Sequence, residues 1–166
     1  DGDVTDAHGG PDMWVLKVDA NGGLLWQRTF GGSLFEMGIS VAPTEGGYLL
    51  CGTTSSSDGN IEGNHGDRDL WLAKVNEQGT LIWQRCLGGS DADQGWLRAE
   101  LEDGSLVAVG YTESNDGDVS GNHGGRDMWV VKLQVNGVTE PPPPLQCALF
   151  IPTAFSPNGS GKNDAQ

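Results

Sequence analysis

The chain has 166 residues, and its 9 Lys plus Arg stand against 23 Asp plus Glu, a formal net charge of −14. That balance argues against nucleic acid and against an anionic membrane surface as partners, and it makes cations the natural counterparts. No apolar run approaches the roughly 20 residues of a spanning helix, so no transmembrane segment is expected, and 27 glycines among many Asp and Asn residues point to turns between short strands.

The chain opens inside a repeat. DGDVTDAHGGPDMWVLKV, from Asp1 to Val18, returns as DGNIEGNHGDRDLWLAKV from Asp58 to Val75 and as DGDVSGNHGGRDMWVVKL from Asp116 to Leu133. Asp12 to Asp69 is 57 residues and Asp69 to Asp127 is 58. LLWQRTFGGS at Leu24–Ser33 matches LIWQRCLGGS at Leu81–Ser90, and the extra residue of the longer period falls in the turn around Pro43 to Gly47. No signal peptide precedes the first copy, and a further N-terminal part is expected.

In the complete period four strands are predicted, at Gly47–Thr53, Asp69–Val75, Leu81–Leu87 and Gly95–Leu101. DANG at Asp19–Gly22 and NEQG at Asn76–Gly79 read as hairpin loops, whose Gly and Asn accept positive φ. Four antiparallel strands in roughly 40 to 60 residues is the arithmetic of a propeller blade. The expected fold is therefore all-β, a partial β-propeller of four-stranded antiparallel blades with about 2.4 repeats present and other blades of the same chain missing. Trp14, Trp71 and Trp129 form one equivalent set and Trp26 with Trp83 another, and both read as packing between blades rather than as sugar-stacking platforms. Trp96 stands where the previous copy has Ile39 and is the better candidate for an individual role. Cys51, Cys86 and Cys147 sit at unrelated spacings and read as small buried hydrophobes.

The organisation predicted along the chain is repeats over 1–138, a Pro-rich linker over 139–147 with Pro141 to Pro144 as a stiff spacer, and over 148–166 the start of a further domain.

The twelve-residue loop ahead of each Trp strand is the candidate site. Counting from its first Asp, oxygen-bearing side chains fall at positions 1, 3, 5 and 12, with Gly at 6, the pattern of an EF-hand-type calcium loop. The candidate ligands are Asp116, Asp118, Ser120 and Asp127, then Asp58, Asn60, Glu62 and Asp69, then Asp1, Asp3, Thr5 and Asp12. In the first copy Asp6 takes the place of the turn Gly, which Asp tolerates at some cost. Two features weigh the other way. Position 12 is Asp instead of a bidentate Glu, and DG and NG turns close through Asx hydrogen bonds without any metal. Calcium and the metal-free turn both stay open, the metal-free turn ahead. His8, His65 and His123 share one repeat position and read as loop residues rather than as a joint zinc site. No nucleophile elbow, zinc-protease helix, phosphate loop or dinucleotide fingerprint is present, so no catalytic residue and no cofactor beyond possible calcium is assigned.

Two resemblances rest on these residues. The units GGxDMWVVKL, LLWQRTFGGS and GGYLLCGTTSSSDGN resemble the β-propeller repeats of secreted Bacteroidetes proteins, over about residues 1 to 137. The tail FIPTAFSPNGSGKNDAQ resembles the opening of the gliding-motility-associated C-terminal domain, usually VPNAFTPNGDGxND, with Thr153 in place of Asn and Ser160 in place of Asp. That resemblance implies the type IX secretion machinery as a partner and an extracellular or outer cell-surface location. The expectation is a non-enzymatic scaffold or binding module, with adhesion to a glycan or protein surface ligand. The alternatives are a propeller enzyme acting on polysaccharide or peptide with its catalytic residues outside this chain, and a purely structural spacer.

Overall fold

A computed structural model describes residues 4–100 and 105–134, with side chains for all of these except 97–100. The described residues form strands and turns with no helix: β1 (Met13–Val18), β2 (Leu24–Phe30), β3 (Glu36–Thr44), β4 (Gly47–Thr54), β5 (Asp69–Asn76), β6 (Leu81–Leu87), β7 (Asp93–Glu100), β8 (Leu106–Thr112) and β9 (Asp127–Leu133). They pair antiparallel in three sheets, β1-β2, β3-β4-β5-β6 and β7-β8-β9. The linker predicted at 139–147 and the segment 148–166 lie outside the described residues.

The phase of the four-stranded unit differs from the one read off the sequence. The middle sheet begins one strand earlier, with β3, and the strand predicted at Gly95–Leu101 instead opens the third sheet as part of β7. The cause lies in β3 itself. Gly38, Ser40 and Pro43 have poor strand propensity, and the strand exists because it pairs along β4, from Glu36↔Thr54 to Thr44↔Gly47. Pro43 is tolerated because β3 is the edge of its sheet, where the missing N–H breaks no ladder on the open side.

The predicted hairpin loops form as expected. Asp19 accepts from the amides of Asn21 and Gly23, both at 2.8 Å, and Asn76 accepts from Gln78 at 3.0 Å and Thr80 at 2.9 Å. Gly22 and Gly79 take φ of 83° and 78° there. Even irregularities recur, with a register shift at Lys17/Val18 in β1 and at Lys74/Val75 in β5.

The middle sheet is covered on both faces, which is why DLWLAKV is apolar nearly throughout. One face buries Leu50, Trp71, Ala73, Val75 and Cys86 against Met13, Val15 and Phe30 of the first sheet. The other buries Leu49, Cys51, Leu70, Leu72, Trp83 and Leu87 against Leu106, Ala108, Trp129, Val131 and Leu133 of the third. Loop residues Ile61 and Val119, 58 apart, each close one seam. Met13 crosses the first seam onto Gly38 and Gly52, where the absence of a Cβ leaves room for its thioether. At the same seam Trp26 lies on Gly79 and donates its indole N–H to the Glu77 carbonyl at 2.9 Å. Cys51 and Cys86 are buried, in line with their reading as small buried hydrophobes, with Cys51 Sγ 3.5 Å from the Gly95 carbonyl oxygen, and Cys147 lies outside the described residues. Trp96 in β7, opposite Val109, is half-buried.

Candidate functional site

Each twelve-residue loop joins the second strand of a repeat to its third, and β2 and β6 end in the turns Gly31–Ser33 and Gly88–Ser90 beside it. The loop of one copy grips the turn of the copy before. The amide of Ser33 donates to Asp58 Oδ1 at 2.7 Å, that of Leu34 to Ser56 Oγ at 2.9 Å and that of Gly31 to Asn60 Oδ1 at 3.2 Å, while Asn60 N donates back to the Gly31 carbonyl at 2.9 Å. The next junction repeats the set. Ser90 N donates to Asp116 Oδ1 at 2.7 Å, Asp91 N to Ser114 Oγ at 3.0 Å, Gly88 N to Asp118 Oδ2 at 3.4 Å and Asp118 N to the Gly88 carbonyl at 2.9 Å. Gly59 and Gly117, at φ 65° and 62°, bring the loop against the turn, since a Cβ on either would run into the Gly31 or Gly88 carbonyl. The Ser33 amide holds the Asp58 carboxyl below its usual range, and the Ser90 amide does the same for Asp116.

Loop position 12 faces a different way. Asp69 is fully buried and its Oδ2 accepts from His65, through N at 3.0 Å and Nδ1 at 2.7 Å. Asp127 accepts from His123 N at 2.6 Å and Nδ1 at 3.0 Å, and Asp12 accepts from His8 N at 2.6 Å, with His8 Nδ1 3.9 Å away. The Oδ1 atoms of Asp12 and Asp69 are buried without a hydrogen-bond partner. Burial pushes the Asp69 carboxyl up, with the His65 hydrogen bonds opposing it.

Beside Asp12 and Asp69 stand two buried acids that sequence reasoning missed, Glu36 and Asp93. Glu36 accepts from Gly32 N at 2.8 Å and Thr54 Oγ1 at 2.6 Å. Asp93 accepts from Gly89 N and Ser114 Oγ, each at 2.7 Å, and from Thr112 Oγ1. A Cβ on Gly88 would stand 2.5 Å from Asp93 Oδ2 and 2.6 Å from Asp69 Oδ1, so only glycine fits between the two carboxylates. The signal was present: an acid stands three residues after Ser33 and three after Ser90.

The twelve candidate ligands therefore divide. Asp1 and Asp3 lie outside the described residues. Thr5 offers its carbonyl to Thr29 Oγ1 at 2.6 Å, the exposed Glu62 offers its carbonyl to Gln84 Nε2 at 3.1 Å, and Ser120 is exposed. Asp58, Asn60, Asp116 and Asp118 are drawn to the preceding turns, while Asp12, Asp69 and Asp127 bind their own loop histidines. Among the described residues no three His, Cys, Asp or Glu side chains come together in a group able to hold a metal ion. In this arrangement Asp58, Asn60, Asp116 and Asp118 accept hydrogen bonds from amides of the preceding turns. The sharp turn at position 6 is real, with Gly63 and Gly121 at φ 79° and 80° and Asp6 at 61° in the same role.

Together the loops line one end of the sheet stack with exposed imidazoles and carboxylates. His8 lies close enough to Asp58, and His65 to Asp116, to favour the ionised carboxylate in each. Chemically this rim offers hydrogen-bond donors and acceptors at a spacing fixed by the repeat.

No family model matches the chain. It is 30% identical over 96 residues to the regulatory protein FlaEY of Caulobacter vibrioides, a match that takes in 55% of this chain and 10% of that protein. The chain thus spans about a tenth of the length of this relative.

Proposed function

We propose that the chain is a β-propeller segment acting as a non-enzymatic scaffold and binding module at the outer cell surface, with adhesion to a glycan or protein as its role. The carrying observation is that one seam occurs twice, with Trp71 and then Trp129 buried against the preceding sheet. Face-to-face stacking of successive four-stranded copies is the way propeller blades bury their surface. The loop rim supports the binding role, because loops tied by hydrogen bonds to neighbouring turns hold their exposed side chains in place at little entropic cost on binding. Export by type IX secretion is supported by the resemblance of the tail.

Two experiments test the reading. Antibody labelling of intact cells expressing the chain should be as strong as labelling of lysed cells. The purified chain should be retained on one class of polysaccharide or surface protein, and replacing His8, His65 and His123 by Ala should abolish retention while near-ultraviolet circular dichroism shows that the packed sheets are kept. Shortening of the polysaccharide by a longer protein that carries this chain, and not by this chain alone, would replace the scaffold with the hydrolase reading. Retention on no glycan or protein surface would leave only the spacer role.

A further inference from the structure

Arg68 and Arg126 hold one position in successive copies, 58 residues apart. Each stands just ahead of the Asp that closes its loop, and the register pairs Thr54↔Asp69 and Thr112↔Asp127 set Ser55 and Glu113 beside them. Those two neighbours are held alike. The Ser55 amide donates to the Phe35 carbonyl at 2.9 Å and the Glu113 amide to the Ala92 carbonyl at 3.0 Å. Each guanidinium also lies over an aromatic ring, Arg68 over Phe35 at 5.2 Å and Arg126 over Tyr111 at 4.5 Å from the centroid.

What differs is the counter-charge. Arg126 Nε donates to Glu113 Oε1 at 2.6 Å. In the middle copy Ser55 takes the place of that glutamate and brings no carboxylate. Among the described residues no acid pairs with the Arg68 guanidinium, and its Nε is buried without a hydrogen-bond partner. A charged donor packed against protein is ordinarily satisfied, because leaving it unpaired is costly. The residue is half-buried and sits in the copy that has a sheet on either side, so its setting is complete within the chain. The Phe35 ring beneath it holds the guanidinium in place.

We propose that the Arg68 guanidinium, which lacks the carboxylate that Arg126 has, binds an oxyanion of an acidic polysaccharide, a uronate carboxylate or a sulfate ester. The inference deepens the binding role proposed above and rests on it. A planar fork of N–H donors meets either group with two parallel hydrogen bonds, which a lysine does not reproduce. Leu34, next in the chain to Phe35, is 56% exposed and offers apolar surface to the C–H face of a sugar ring, which an acidic protein side chain would leave unused. The formal charge of −14 repels a polyanion at a distance. In about 0.1 M salt that repulsion is screened beyond roughly 10 Å while a contact pair persists, so binding is read at that ionic strength.

Retention of the purified chain on immobilised polygalacturonate, dextran sulfate and neutral dextran tests this. The wild type should be held by an acidic polymer and not by dextran, and the stronger of the two acidic arms names carboxylate or sulfate as the group bound. Arg68→Gln should bind that polymer roughly tenfold more weakly or worse, and Arg68→Lys should bind as weakly. Ser55→Glu should lose binding to the same extent, because it rebuilds within the chain the pair that Arg126 makes with Glu113. Ser55→Glu added to Arg68→Gln should cost nothing further, which separates occupation of Arg68 from added negative charge. Near-ultraviolet circular dichroism matching the wild type establishes that each variant keeps its packed sheets. Wild-type binding by Arg68→Gln or by Ser55→Glu overturns the assignment, and so does a further loss in the double variant. Retention on neutral dextran or on a surface protein alone overturns it and leaves the scaffold reading in place. Retention on no glycan and no protein overturns both.

Discussion

Trp14 and Trp71 occupy one position in successive copies and make the same indole-to-glutamine hydrogen bond, yet Trp71 is fully buried and Trp14 is 44% exposed. The difference comes only from whether a sheet lies in front of them. Truncating a wholly buried aromatic typically costs about 3–5 kcal/mol, while a half-exposed one at an uncovered face costs below about 1 kcal/mol in the isolated chain. Trp71→Ala should therefore lower the urea midpoint sharply and Trp14→Ala hardly at all. Equal losses would mean that the first seam contributes nothing to stability.

The clamp carboxylates give a pH dependence of known sign. Asp58 and Asp116 are held below the ordinary value of 3.8 by the amides of Ser33 and Ser90, so each binds its proton less readily folded than unfolded. Their contribution is complete above the unfolded value and is lost as pH falls through the lower folded one. Asp58→Asn with Asp116→Asn should melt below the wild type at neutral pH, and the gap should close in acid below pH 3.8. A gap independent of pH would show that the carboxylates' charge plays no part in gripping the turns.

Asp69 runs the other way. Burial raises its carboxyl above 3.8, so the folded chain holds this proton more tightly than the unfolded one does. That stabilisation is complete below the unfolded value and disappears as pH rises through the raised folded value. Asp69→Asn keeps an acceptor for the His65 amide without carrying the buried charge, so its melting temperature should gain on the wild type as pH climbs from 3.8. Parallel curves for the two proteins would contradict a desolvated carboxylate.

Gly88 separates Asp69 from Asp93, and a methyl group there would sit within 2.6 Å of oxygens from both. Overfilling a packed site costs about 1–3 kcal/mol. Gly88→Ala should show that loss in urea unfolding, and Asp69→Ala added to it should recover part of it. No loss at all would mean that the junction is looser than its hydrogen bonds imply.

The loop oxygens serve amide donors, so melting in millimolar calcium and in chelator should coincide, and Asp116→Ala should lower both equally. A calcium-dependent rise in melting temperature that vanishes on replacing Asp116 and Asp127 by Ala would decide for the metal loop.

Much of this was legible in the residues and some was not, for identifiable reasons. The spacing of Trp14, Trp71 and Trp129 revealed the repeat, and the DANG and NEQG turns could be placed because a Gly able to take positive φ stands three residues after Asp19 and after Asn76. The strand β3 was invisible: Gly38, Ser40 and Pro43 form a strand only because β4 supplies the partner groups. That single omission shifted the phase of the sheets. Glu36 and Asp93 were missed because they are chemically unequal at an equivalent position, and a pattern search that groups acids by charge would have joined them. The spacing of the twelve-residue loop fixes which residues are near in sequence and not which way their oxygens turn, so the bonds of Asp58 and Asp116 to the Ser33 and Ser90 amides of the preceding turns were not legible in it.

The grip of each loop on the turn behind it makes neighbouring copies overlap like roof tiles, the lower edge of one pinned by the nails of the next. A boundary drawn between sheets would leave Gly31–Ser33 or Gly88–Ser90 without the side chains that hold it. A recombined unit must therefore carry the loop that pins it, Asp58 and Asn60 with the turn Gly31–Ser33 and Asp116 and Asp118 with the turn Gly88–Ser90.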